Sequence, residues 1–228
     1  MPGMLLPCRV PVPDKSSCRT SGEGRPPRRA LALIRVGDLR PTDHVLDVGC
    51  GDGEVALEVA GLVERVHGVD IRSDRAQRAV ERAAGRGIGN ASFEVSSIQD
   101  YPLQPDSWDV TLFMRVWGKG SHASHVQDAE LERVLRATRR QAIVQAGKRR
   151  AERQLHRIFA IFDEHGFDAA WFVELNLIVA NRRGAGARIG ALPERVAVSG
   201  PSGPRLVRSA SLPNHPVIRS FNPRRRVA

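Results

Sequence analysis

Cysteine is scarce in this 228-residue chain, with only Cys8, Cys18 and Cys50. Three scattered thiols cannot build a disulfide framework, and Cys8 and Cys18 lack the close Cys/His spacing of a zinc site, so no metal is expected. A reducing interior, the cytoplasm, is the compartment this implies. Aromatic residues make up 5% of the chain. No run approaches the ~18 apolar residues that would span a bilayer, so no membrane segment is expected. The apolar start is broken by Pro2, Pro7, Arg9, Pro11 and Pro13 and has no small-residue cleavage site, which makes it a poor signal peptide. Neither end carries an internal repeat, which excludes a solenoid.

Positive charge is abundant, at a formal +10, but its position decides what it means. Residues 1–29 balance to +4 and residues 184–228 to +7, leaving −1 over residues 30–183. Both ends are also rich in glycine, proline and serine, as in Gly184, Gly186, Gly190, Pro193 and the run from Ser199 to Pro204. Residues 1–29 therefore read as a disordered basic arm and 184–228 as a disordered basic tail, around one domain at 30–183. Such ends are mostly solvated, yet they offer a loose hold for nucleic acid as a partner.

Within the middle stretch, extended and helical patterns alternate. The extended candidates are 44–48, 65–71, 92–96, 108–116, 141–145 and 171–181, short and mostly apolar as strands buried on both faces should be. The helical candidates are 30–36, 54–63, 75–86, 126–139 and 151–165; Leu131, Val134 and Leu135 give the fourth an apolar stripe. Alternation of this kind predicts an α/β fold, doubly wound, with a mostly parallel sheet and helices on both faces.

The informative segment runs from Val45 to Gly53, Val-Leu-Asp-Val-Gly-Cys-Gly-Asp-Gly, and leads directly into Glu54-Val-Ala-Leu. An apolar strand thus enters three alternate glycines and then a helix. Glycine suits positions where φ is positive or where a ligand lies on the main chain. Open α/β sheets bind ligands at this carboxyl end of their strands. The spacing is G-x-G-x-G, and Glu54 occupies the position that a dinucleotide fingerprint would fill with glycine. A carboxylate there would repel a pyrophosphate, whereas it tolerates a zwitterionic amino acid. Asp47, two residues before Gly49, is a natural partner for an ammonium group.

Residues 45–53 resemble the glycine-rich motif of the class I S-adenosylmethionine-dependent methyltransferases, whose fold is Rossmann-like. The resemblance implies that Asp47 with the backbone of Gly49, Cys50, Gly51 and Gly53 holds the methionine part of S-adenosylmethionine. It further implies that Asp70, ending the strand Val66–Asp70, accepts the two ribose hydroxyls, with Ile71 beside it. One carboxylate can accept two parallel hydrogen bonds from a cis-diol. Ser97 and Ile98 fall where the family binds adenine, with Ser97 in place of the usual acid. Cys50 itself reads as a small filler. Asp106-Ser-Trp-Asp109 resembles the family's entry into its fourth strand.

The acceptor side is less informative. No Asn-Pro-Pro-aromatic sequence follows the fourth strand, which counts against methylation of a nucleobase amino group. His122 and His125 are the candidates for a general base, on a loop at a strand's carboxyl end. A small-molecule acceptor is therefore expected, and the oligomeric state is not legible. The alternative is a methyltransferase-like protein without catalysis, associated with nucleic acid through its basic ends.

Overall fold

The computed structural model describes residues 28–114, 124–145, 152–172, 175–187, 195–200 and 203–208. Five helices and nine strands follow along them, alternating up to β3 and ending in four consecutive strands: α1 (Arg28–Val36), β1 (His44–Val48), α2 (Glu54–Ala60), β2 (Arg65–Asp70), α3 (Ser73–Gly85), β3 (Ala91–Val95), β4 (Trp108–Phe113), α4 (Ser124–Ala137), β5 (Thr138–Gln145), α5 (Glu152–Glu164), β6 (Phe167–Phe172), β7 (Leu177–Arg182), β8 (Arg195–Gly200) and β9 (Gly203–Arg208). They form one sheet in the order β3-β2-β1-β4-β5-β7-β6-β8-β9. β1 to β5 run parallel, and β7 enters antiparallel beside β5. The order reverses between β1 and β4, which makes the carboxyl ends of these strands the crevice of the fold.

Side-chain alternation on the strands feeds two cores. Val45, Val110, Leu112, Ile143 and Val179 join Leu33 and Val36 of α1 and Val55 and Val59 of α2 on one face. Leu46, Val48, Phe113, Val144 and Ile178 join Leu131 and Leu135 of α4 and Ile158 and Phe162 of α5 on the other. Each large apolar side chain so buried contributes about 1.5–3 kcal/mol. Strands covered on both faces cannot alternate polar and apolar residues, which explains their near-continuous apolar runs.

Two expectations need correction. The single strand expected over 171–181 is part of a hairpin: β6 and β7 pair antiparallel from Phe167↔Arg182 to Phe172↔Leu177. Asn176 turns the chain there at φ 55, a conformation asparagine tolerates better than most residues. The disordered tail expected from residue 184 contains β8 and β9, an antiparallel hairpin that meets β6 at Trp171↔Ala197. Valines at 196, 198 and 207 and Leu206 supply the strand tendency that the Gly/Pro content outweighed in the sequence reading.

The start of β5 is also earlier than its apolar run. α4 passes into β5 without a loop because the Thr138 hydroxyl donates back to the Val134 carbonyl at 2.7 Å and meets the Thr111 hydroxyl at 2.7 Å. The helix end is thereby pinned to β4, beside the crevice strand β1.

Candidate functional site

β1 ends at Val48, and the chain turns through Gly49, Gly51 and Gly53 with φ of 70°, 57° and 74°. All three lie in the left-handed region that side chains disfavour, so the alternate spacing of glycine matches an alternate backbone requirement. The turn is fastened to β2: the Gly49 and Cys50 amides donate to the Val69 carbonyl at 2.7 and 3.1 Å. Gly53 is held close to α3 and β3 as well, since a Cβ there would lie 3.0 Å from Ala79 and 3.1 Å from Phe93.

Two carboxylates converge on this turn. Asp70, at the end of β2, accepts from the Gly51 amide at 2.8 Å through Oδ2 and from the Arg72 amide at 2.9 Å through Oδ1. Each oxygen keeps lone-pair capacity for a further donor. Asp47 is 1% exposed, and among the described residues its oxygens find no side-chain donor; the Ala56 amide of α2 is the backbone donor that faces it. Its register neighbours, Gly68 on β2 and Leu112 on β4, offer no charge. Burial first, and then the Asp70 charge, push the Asp47 carboxyl up to about 7; the Ala56 amide offsets this only in part. A buried carboxyl with so little to bond it costs stability unless something else supplies a donor or a cation. The arrangement is suited to a ligand bearing a cation at one end and vicinal hydroxyls about one strand spacing away.

The remaining expected site residues divide. Cys50 is buried, points its thiol at the Gly51 carbonyl and packs where a Cβ on Gly68 would fall. Burial and the charges of Asp47 and Asp70 push its thiol up, so it stays protonated and acts as a filler. Ile71 is 70% exposed beside Asp70, free to cover a ligand. Ile98 is not: at 6% exposure it belongs to the core under α4 and α5, a correction to its reading as a cover for adenine. The chain turns directly after β3, and that turn swings Ile98 beneath the sheet. The Ser97 hydroxyl donates to Asp100 at 2.6 Å and accepts from the Asp100 amide at 3.1 Å. An acid thus stands at the β3 end after all, three residues later than the family pattern. His122 lies outside the described residues; His125 falls in the first turn of α4.

Several neighbours of the site escaped the sequence reading. Arg75, Arg78 and Arg82 share one face of α3 and all reach the glycine turn. Arg75 Nη1 lies 3.5 Å from where a Gly51 Cβ would be, Arg78 binds the Asp52 carboxylate at 3.0 Å, and Arg82 donates to the Asp52 carbonyl at 3.2 Å. The spacing of three and four residues was the available signal. On the opposite face of the sheet, His67 stacks on Tyr101 and Trp108 at 5.6 and 6.0 Å. It also bonds Ser92 at 2.8 Å. This cluster covers β2 and β3 where the β3–β4 connection forms no helix.

A family model described as a methyltransferase domain matches residues 39–168, from before β1 to the start of β6. Similar curated proteins include an uncharacterized methyltransferase, YcgJ, of Bacillus subtilis, 29% identical over 106 residues that make up 46% of this chain and 41% of that protein. A 23S rRNA (uracil-C5)-methyltransferase of Methylococcus capsulatus is 37% identical over 76 residues, 33% of this chain and 17% of that protein. The chain thus matches less than half the length of these curated relatives. Among solved structures, magnesium protoporphyrin IX methyltransferase of Synechocystis with bound S-adenosylmethionine superposes with a TM-score of 0.55 at 19% identity, over 67% of this chain and 76% of that one. The YcgJ crystal structure superposes at 0.51 with 17% identity, over 65% and 76%. With its glycine turn, paired carboxylates and reversed strand order at β1, the chain belongs to the methyltransferase-domain family, of the class I S-adenosylmethionine-dependent type with a Rossmann-like fold.

Proposed function

We propose that the protein binds S-adenosylmethionine across the ends of β1 and β2 and transfers its methyl group to a small-molecule acceptor. The observation that carries this reading is the buried Asp47, which among the described residues has no cation and no side-chain donor, beside the backbone turn and Asp70. Asp47 would take the ammonium of the cofactor's amino-acid end, the Gly49–Gly51 backbone would lie against it, and Asp70 would accept the ribose hydroxyls. Ser97 and Asp100 would face the adenine amino group, and Ile71 the ring. The donor set fits the cofactor: a carboxylate for a cation, a second for a diol, and a turn without side chains between them.

The cofactor supplies a methyl group already activated on a sulfonium. The chain's part is to hold that group in line with the acceptor and to exclude water, which is catalysis by proximity. His122, before α4, and His125, in its first turn, are the candidates to take a proton from a hydroxyl or amine acceptor. The near-neutral balance of 30–183 supports a small acceptor, and the cysteine count supports a cytoplasmic setting. Among the described residues no helix is long and apolar enough to cross a membrane.

A second reading, RNA as acceptor, draws on the rRNA-methylating relative and on the basic ends. Incubation with labelled S-adenosylmethionine, against a small-molecule extract and against total RNA, separates the two by where label appears. Label in RNA, lost at moderate salt, would replace the small-molecule reading. Calorimetry tests the site: Asp70→Ala is expected to weaken cofactor binding by about 1.5–3 kcal/mol, the contribution of a hydrogen bond to a charged group. Unchanged affinity would remove Asp70 from the site. Cofactor binding without transfer to any pool would favour the non-catalytic alternative.

A further inference from the structure

We propose that capture of the cofactor is coupled to release of one proton from Asp47, so that affinity for the cofactor's amino-acid end climbs with pH through the weakly acidic range. The inference rests on the reading of the site given above and adds a linkage that the family assignment does not contain.

The geometry compels it. Asp47 lies on β1 under α2, 1% exposed, and among the described residues no cation and no side-chain donor reaches either oxygen. The groups facing it can be named element by element among the described residues. β2 contributes Asp70, a second carboxylate, and the neutral Gly68; β4 contributes the neutral Leu112; α2 contributes the Ala56 amide; the turn contributes the protonated thiol of Cys50. Arg75 lies against Gly51 and makes no ion pair with Asp47, and Arg78 and Arg82 are taken up by Asp52. Among the described residues the charge that raises the Asp47 carboxyl is therefore that of Asp70, and it is negative. Without ligand the carboxyl keeps its proton up to near neutrality. An ammonium group brought against it supplies the missing opposite charge and the missing donors together, and the carboxylate form becomes the bound form. A proton held in the free protein and absent from the complex must leave on binding.

The probes are S-adenosylhomocysteine, which carries the amino-acid end, and 5′-methylthioadenosine, which lacks it. Titration calorimetry on the full-length protein at pH 5.0 to 8.0, in buffers of different ionisation enthalpy, counts the protons. For S-adenosylhomocysteine the expected affinity gain is about tenfold per pH unit below neutrality, levelling off above it, with about one proton released per ligand at pH 5–6. An α-ammonium with a pKa of about 7.7–8.0 stays charged below neutrality, where the slope is read, and begins to lose its proton only toward pH 8. The 5′-methylthioadenosine affinity should stay flat, which removes contributions from histidines shared by both ligands. Asp47→Asn should bind S-adenosylhomocysteine with no pH slope and no proton release. A flat profile for the wild-type protein, an equal slope for both nucleosides, or a slope retained in Asp47→Asn overturns the proposal while leaving cofactor binding intact. Failure of both nucleosides to bind at any pH removes the parent reading together with this one.

Discussion

At the scale of single residues, Asp47 sets folding against binding. Its carboxyl is raised from 3.8 to about 7 in the folded, ligand-free protein. The native state therefore favours the protonated form. That contribution is fully present below about pH 3.8 and is lost as pH rises to about 7, amounting to about 4 kcal/mol. Asp47→Asn, which removes the charge and keeps the shape, is accordingly expected to raise the Tm of the free protein. The gain should be small at pH 4 and largest at pH 7.5 and above, while cofactor affinity at pH 8 falls. Differential scanning calorimetry across pH checks the first part; a Tm gain that does not grow with pH would show that Asp47 is ionised in the free protein throughout. Residues of this kind are where a site departs from what folding alone would select.

At the scale of elements, α3 braces the turn that β1 and α2 share. Arg78 links the Asp52 carboxylate to Asp74 across that junction, at 3.0 and 3.2 Å. Exposed ion pairs add little to global stability, so Arg78→Ala should leave the Tm nearly unchanged. Its effect should appear in ligand affinity, about two- to fivefold weaker for S-adenosylhomocysteine, because the turn loses a restraint. A drop in Tm of many degrees with unaltered affinity would place Arg78 in the scaffold instead. Across the sheet, burial holds the His67 imidazole below its usual range; Glu94 opposes the shift and Arg65 reinforces it. The native state prefers neutral His67. The corresponding stability is present above about pH 6.5 and is lost as pH falls through that value toward the depressed native one. Thermal melts between pH 7 and 5 should show an acid-side decline that His67→Gln lacks in part. Equal declines would mean that the Tyr101–His67–Trp108 stack is open to water.

These elements also show how much could be read in advance. β1 carries the same bounds in the sequence reading and in the structure, because a buried parallel strand and its glycine turn are written in consecutive residues. Asp47 and Asp70 were legible for the same reason, one before the turn and one at the next strand's end. The α3 brace was not, since Arg75, Arg78 and Arg82 look like a solvated helix face until β1 is placed beside them. Ile98 reads as a cover for adenine beside Ser97, and only the turn after β3 decides that it joins the core.

At the scale of the whole molecule, the sheet extends past the family match through β8 and β9. Their attachment is slight, a single register pair between Trp171 and Ala197. A chain ending after residue 187 is therefore expected to fold cooperatively, to keep its affinity for S-adenosylhomocysteine within about twofold, and to lose only a few degrees of Tm. Opening the β6 edge should show instead as concentration-dependent self-association, which light scattering would detect. Loss of cofactor binding in that truncation would make the hairpin part of the catalytic unit.

The sequence alone determined what depends on neighbours along the chain: alternating strand and helix periods, three glycines where φ must be positive, and an acid at each of two strand ends. Those features are local because backbone sterics and side-chain periodicity act over a few residues. Tertiary structure decided the rest. It split 167–182 into a hairpin, drew 195–208 into the sheet, turned α3's arginines onto the glycine turn and buried Asp47 beside Asp70 with no side-chain donor among the described residues. Each of these follows from pairing or desolvation between segments far apart in sequence, and a carboxyl's ionisation depends on the water and charge around it, which only the folded chain sets.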